Sequence, residues 1–195
     1  MMKTMLVVAM MAAVCVLSAS AAPVTMHLHK DPVTMHLHNE TAPPQPNCPG
    51  WTLYKQCDSR WGGDRLGTSG NTICSAGCAM SSVAMLLHTR GVSVDPGSLN
   101  NWLIHNGGYA SGDLIVWSAV DKFGKTSYQG IENPSINAVI SGLQSCHGII
   151  ANVRGGTHWV LLTGHAGGST FKVNDPGFST TEYNFSDMLR FAVYH

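Results

Sequence analysis

Charge is what this chain has least of. Lys, Arg, Asp and Glu make up 11% of its 195 residues, 11 basic against 11 acidic, and the formal net charge is zero. Ordinary soluble proteins carry about 25% charged residues. Binding to nucleic acid or to an acidic membrane surface draws on a basic excess. With none here, neither a nucleic-acid partner nor a membrane partner is expected. The apolar run from Met5 to Leu17 is also too short to cross, as a helix, a hydrocarbon layer of about 30 Å. Lys3 precedes that run, and Ser18-Ala19-Ser20-Ala21-Ala22 follows it with small residues at the A-x-A positions, so residues 1–22 read as a secretory signal. The mature protein is expected to be extracellular or lumenal, in an oxidising compartment where cysteines usually pair.

A short duplication comes next. Pro23-Val24-Thr25-Met26-His27-Leu28-His29 recurs as Pro32-Val33-Thr34-Met35-His36-Leu37-His38. In an extended chain the His-x-His spacing places two imidazoles on one side, so His27, His29, His36 and His38 offer a weak zinc or copper site. The alternative is a flexible spacer or pro-segment. Three prolines in Thr41-Ala42-Pro43-Pro44-Gln45-Pro46 make the following stretch a semi-extended linker, giving a histidine-rich and linker region over 23–46. Residues 47–195, about 150 in all, suit one domain with a real core.

Within that domain Ser75-Ala76-Gly77-Cys78-Ala79-Met80-Ser81-Ser82 puts a thiol where a loop turns into a helix. Met80, Val83, Ala84 and Leu87 follow the i, i+3, i+4, i+7 pattern of a buried helix face, and Gly91 is a natural stop. Cys78 then lies in the first turn, where unpaired N–H groups and the helix dipole favour an anion such as a nucleophilic thiolate. The competing reading is a buried or disulfide-bonded cysteine. A nucleophilic thiol needs a base from a separate element. His88 lies on the same helix, about 15 Å along it at 1.5 Å per residue, and is excluded. His158 opens the apolar run His158-Trp159-Val160-Leu161-Leu162-Thr163-Gly164, which reads as a buried strand. Phe171-Lys172-Val173-Asn174 reads as its hairpin partner across the turn-rich His165–Thr170 stretch. Folding this hairpin about Ala166 and Gly167 sets Asp175 directly opposite His158, at about 5 Å between Cβ atoms. A one-residue slip would bring Asn174 round instead. His165 is the rival base, but its odd separation from His158 turns it to the other face of a regular strand. His105 and His147 read as surface residues.

Cysteine arithmetic points the same way. Removing Cys15 with the signal leaves Cys48, Cys57, Cys74, Cys78 and Cys146, an odd number. If Cys78 is free, the other four allow two disulfides in three possible pairings. The competing account leaves another cysteine free and bonds Cys78.

Four ordered segments carry a family resemblance: Gln56-Cys57-Asp58-Ser59-Arg60-Trp61, Ala76-Gly77-Cys78-Ala79-Met80-Ser81-Ser82-Val83-Ala84-Met85-Leu86-Leu87, His158-Trp159-Val160-Leu161-Leu162-Thr163-Gly164 and Asn174-Asp175-Pro176-Gly177. They resemble the papain-fold cysteine peptidases related to the bacteriocin-processing, double-glycine leader enzymes, from about Tyr54 to the C-terminus. The resemblance implies Cys78 as nucleophile, His158 as base, Asp175 as the orienting acid and Gln56 as an oxyanion donor. A side-chain amide beside the backbone N–H of Cys78 suits that last role. Trp61 and Trp159 read as packing residues near the cleft. The membrane spans and nucleotide-binding domain of a bacteriocin-processing transporter are not expected in this chain, and its double-glycine preference is therefore not carried over.

The fold expected is α+β, a papain-like arrangement with a helical part followed by an antiparallel β-sheet. Helices are predicted from Cys78, from Asp95-Pro96 to Gly107, from Asp113 to Phe123, and from Asn133-Pro134 to Leu143. Strands are predicted at 148–153, 158–164, 171–174 and 191–194. The function expected is that of a secreted cysteine peptidase, with a peptide or protein substrate, an acyl-enzyme thioester and no cofactor. A papain-fold amidase or transferase acting on cell-wall or other amides keeps the same apparatus. The non-enzyme alternative is a secreted protein that binds a metal or ligand without turnover.

Overall fold

The computed structural model describes residues 48–195. The signal at 1–22 and the histidine-rich and linker region at 23–46, with His27, His29, His36 and His38, lie outside the described residues.

Four helices and six strands make an α+β domain. The helices are α1 Ile73–Ala76, α2 Cys78–Thr89, α3 Pro96–His105 and α4 Ile136–Gln144. The strands are β1 Tyr128–Glu132, β2 Gly148–Val153, β3 His158–Gly167, β4 Thr170–Asn174, β5 Glu182–Asn184 and β6 Arg190–Tyr194. They form one antiparallel sheet in the order β1-β6-β2-β3-β4-β5.

Both faces of the central strands are covered, which is why they read as unbroken apolar runs instead of alternating ones. Ile150, Leu161, Ala192 and Tyr194 join the core built around α2 and α3. Their neighbours Ile149, Ala151, Val160, Leu162, Phe191 and Val193 join a second core with Val139 and Leu143 of α4. The α2 stripe expected from its periodicity is buried, and so are Ser81, Ser82, Met85 and Leu86 beside it. This helix is enclosed, and its cap is therefore held in a fixed place. α3 starts as its signal implied: Asp95 accepts from the Ser98 amide at 2.8 Å, in a capping box with Pro96 in the first turn.

Three expectations need correction. Helices do not all precede strands, because β1 lies between α3 and α4 and pairs with β6 at the sheet edge. The stretch predicted as a helix from Asp113 to Phe123 is a loop followed by a 3₁₀ helix, Trp117–Phe123, closed by Gly124 in the left-handed region at φ 65°. The hairpin is tighter and less regular than predicted. Gly167 pairs with Thr170, so the turn is Gly168-Ser169, and irregularities fall between Leu162 and Gly164 and between His165 and Gly167. The glycines at the tip, with φ of 115° and 54°, permit that short connection. Near the base the register is Leu161↔Asn174, so Asp175 is not directly opposite His158. Continuing that register sets Asp175 opposite Val160, two positions from His158. A two-residue offset preserves the face, where a one-residue slip would have reversed it.

The cysteines pair as Cys48–Cys146 and Cys57–Cys74, and Cys78 is the one free cysteine among the described residues. The first bridge closes a span of 98 residues. In chain-entropy terms it constrains the unfolded chain by about 4 to 5 kcal/mol. The two disulfides are compatible with an extracellular protein.

Candidate active site

Gly77 separates α1 from α2 and makes the approach to Cys78 possible. A Cβ there would lie 2.5 Å from the Ile73 carbonyl oxygen, so only glycine fits the junction. Gly77 is also the N-cap of α2, and it supplies no side-chain bond to the first turn. No acidic residue stands in that turn either. The N–H groups around Cys78 are thus left for negative charge arriving from a bound group.

The start of α2 lies against the start of β3, where Ser82 Oγ donates to the Trp159 carbonyl at 3.3 Å. That contact brings Cys78, first residue of α2, close to His158, first residue of β3. Both line one cleft of about 450 Å³. His158 is 5% exposed, and its Nε2 is 2.7 Å from Asp175 Oδ1, in a carboxylate 1% exposed just beyond β4. The same Oδ1 accepts from the Gly177 and Phe178 amides, each at 2.9 Å, while Tyr183 Oη donates to Oδ2 at 3.1 Å. A buried carboxylate met by this many donors is held as an anion. Burial alone would raise the Asp175 pKa, yet the His158 bond and the two amides together take it below the ordinary value.

Burial also works against the charged form of His158. The hydrogen bond to Asp175 and that carboxylate's negative charge, with Cys78 close by, outweigh burial and lift its pKa from 6.5 to about 9. With Nε2 committed to Asp175, Nδ1 is the nitrogen left for the thiol proton. The arrangement can therefore hold a proton on the imidazole beside the Cys78 sulfur.

Gln56 lines the same cleft and is 8% exposed. Its Nε2 donates to the Cys74 carbonyl at 2.6 Å, which leaves one amide hydrogen uncommitted, and its Oε1 is buried without a partner. The loop before it is tied across the end of β4. Asn174 Nδ2 donates to the carbonyls of Trp51 and Thr52, Lys55 Nζ to those of Asp175 and Phe178, and the Gln56 amide to that of Pro176. The Cys57–Cys74 bridge joins this loop to α1. Cys78, His158, Asp175 and Gln56 are thus gathered from four separate parts of the chain.

Asn174, the other residue able to orient an imidazole, points away to Trp51 and Thr52. His165 Nε2 is 3.0 Å from the Gly168 carbonyl oxygen at the hairpin tip. His105 is exposed at the end of α3, whereas His147, read as a surface residue, is half-buried and stacked on His195 at 4.0 Å. Trp61 is 2% exposed in the core instead of at the cleft, while Trp159 packs on Trp117 at 4.9 Å.

Several supporting residues escaped sequence reasoning. Asn152, fully buried, donates from Nδ2 to the His158 and Gly156 carbonyls and holds the β2–β3 turn. Phe178 meets His158 edge-on at 5.0 Å and is covered by the Arg154 guanidinium at 3.9 Å. Tyr183, Lys55 and Asn152 belong to no motif. The sequence points to Asp175 for the imidazole, but nothing in it marks Phe178, three residues on, as packing against the ring.

Residues 51–194 match the family model described as Peptidase_C39 like family. No curated protein matches the chain.

Proposed function

The chain belongs to the Peptidase_C39 like family, and from that membership we propose that residues 47–195 form a cysteine peptidase domain of papain-like architecture acting through Cys78, His158 and Asp175. One observation carries the reading. A free thiol at the start of a helix shares a cleft with a buried His–Asp pair, while every other cysteine of the described residues is in a disulfide. In this proposal the chain is secreted by residues 1–22, and residues 23–46 are a spacer able to take up zinc or copper weakly. The partner is a peptide or protein substrate.

Cys78 Sγ, as the thiolate, attacks the scissile carbonyl carbon. The electron pair displaced onto oxygen is met by the Cys78 backbone N–H and the uncommitted Nε2 hydrogen of Gln56, an arrangement worth a few kcal/mol. His158 passes the proton from Nδ1 to the leaving amine as the C–N bond breaks, leaving a thioester. Neutral His158 then takes a proton from water as the water oxygen attacks the thioester carbon. Collapse of that second intermediate releases the acid and restores the ion pair. Asp175 fixes the ring and stabilises its charged form, as the acid of a Ser-His-Asp triad does.

An electrophilic peptide, such as a peptidyl vinyl sulfone, tests the reading. It is expected to label the folded, disulfide-intact protein at Cys78 alone, located by peptide mapping. Labelling elsewhere, or none while hydrolysis proceeds, refutes it.

Gly177 gives a second check. A Cβ there would lie 3.0 Å from His158 Cε1 and 3.3 Å from Gln56 Oε1, so Gly177→Ala presses on both groups. A displacement of a few tenths of an ångström is expected to lower kcat about tenfold, since catalytic geometry is sensitive on that scale. The vinyl sulfone should still label Cys78. Wild-type kcat in this variant would show that neither group needs its present position.

A further inference from the structure

Cys78 lies on a ridge between two cavities. Ala76, Cys78 and Thr157 border both. One cavity holds His158 and Gln56 and is the cleft described above. The other, of about 440 Å³, contains neither. Its walls are Leu114, Ile115 and Trp117 from the loop and 3₁₀ helix, Ile131 from β1 and Trp159 from β3.

We propose that this second cavity receives a bulky apolar side chain from the acyl side of the scissile bond, making the enzyme selective for such residues over glycine. The inference rests on Cys78 being the acylated nucleophile. Reaction geometry then divides the two cavities. The leaving amine must lie where His158 can protonate it, and the carbonyl oxygen must face Gln56, so both occupy the first cavity. The acyl residue departs from the carbonyl carbon away from the amine, across the ridge, into the second.

The lining chemistry selects the occupant. Leu114 is 62% exposed and Ile131 43% exposed, two of six large apolar side chains left open among the described residues. Exposed apolar surface gathered into a concavity marks a binding site more than surface scatter does. The polar side chains of its lining are partly engaged with one another and with neighbours. Asn71 Nδ2 donates to Asp113 Oδ2 at 2.7 Å, and Arg190 sits over the Trp159 ring while its Nε donates to Asn152. Glycine would leave these apolar walls uncovered. A leucine or phenylalanine would cover them, for about a 10- to 100-fold gain in kcat/KM.

The test uses the full chain and fluorogenic coumarin amides whose two acyl-side residues are Gly-Gly, Leu-Gly, Gly-Leu, Leu-Leu or Phe-Leu. The leucine and phenylalanine amides are expected to exceed Gly-Gly by 10- to 100-fold in kcat/KM. Leu114→Asp and Ile131→Asp should bring that ratio close to one. Ile104→Asp, on α3 and outside both cavities, should leave the ratio as in the wild type. Turnover in which Gly-Gly equals or exceeds the apolar substrates overturns this inference and leaves the hydrolase reading standing. Turnover of p-nitrophenyl decanoate in place of every peptide, with the same sensitivity to Leu114→Asp, also overturns it, in favour of an acyl-chain pocket. Failure of the vinyl sulfone to label Cys78 sinks the nucleophile itself, and this inference with it.

Discussion

Replacing Cys78 with alanine is expected to reduce hydrolysis by about 10⁴-fold or more while leaving the fold intact, because the chemistry loses the atom that carries the acyl group. The effect should be almost wholly kinetic. Cys78 is half-buried at the first position of α2 and takes no part in either disulfide, so alanine leaves both bridges and the Gly77 junction unaltered. Alanine also suits a helix. The unfolding free energy from urea titration should therefore stay within about 1 kcal/mol of the wild type, as for a substitution that breaks no bridge and opens no large cavity. Any residual rate would come from the oxyanion donors and from binding alone. Serine at the same site should be nearly as slow, since its hydroxyl does not ionise beside His158. The measurement is kcat/KM of purified variants on a peptide amide, with circular dichroism and thiol counting on the same samples. Wild-type turnover by the alanine variant would place the nucleophile elsewhere and remove the proposed mechanism.

The parts of this site that sequence exposed are those fixed by local signals. A glycine before a cysteine, followed by a helical apolar stripe, marks the start of α2. An apolar run opening at His158 marks β3. The choice of Asp175 over Asn174 depended on strand parity, which survived because the hairpin register departs from the prediction by an even step. Had a single bulge gone uncompensated, Asn174 would have come to that face in place of Asp175, whereas it anchors Trp51 and Thr52. β1 gave no such signal. It is a half-exposed edge strand with Gly130 at φ 134° and Glu132 at its end, so it carries neither an apolar run nor clean alternation. Yet it supplies Ile131 to the second cavity. The braces of the triad were hidden for a different reason. Lys55 reaches Asp175 across 120 positions of sequence, and Gln56 reaches Cys74 across 18, by hydrogen bonds to backbone carbonyls that no side-chain pattern reveals.

Asp175 separates orientation from charge, and two substitutions there should divide the effects. In the wild type Oδ1 accepts from three N–H donors, on His158, Gly177 and Phe178, whereas Oδ2 meets only the Tyr183 hydroxyl. In Asp175→Asn the oxygen therefore keeps the three donors, and the new amide nitrogen turns to Tyr183 Oη. The imidazole stays in place while the negative charge is gone. A loss in kcat/KM is expected, smaller than that of Asp175→Ala because the ring keeps its tautomer. The pH profile should change with it. Wild-type His158 holds its proton up to about pH 9, so the profile should fall on its alkaline side near that value as the imidazolium is lost. Without the carboxylate the alkaline limb moves to lower pH. Asp175→Ala gives up orientation as well and should cost about 10³-fold or more. Stability carries the same signature. The raised His158 pKa contributes in full below 6.5 and its contribution fades as pH rises through 9. The lowered Asp175 pKa contributes in full above 3.8 and fades as pH falls through its depressed folded value. Urea midpoints of the wild type should thus be highest between those limits and decline on either side, and those of Asp175→Asn should vary less across the range. An alkaline limb unmoved by the asparagine variant would mean that the charge of Asp175 does not govern the proton on His158.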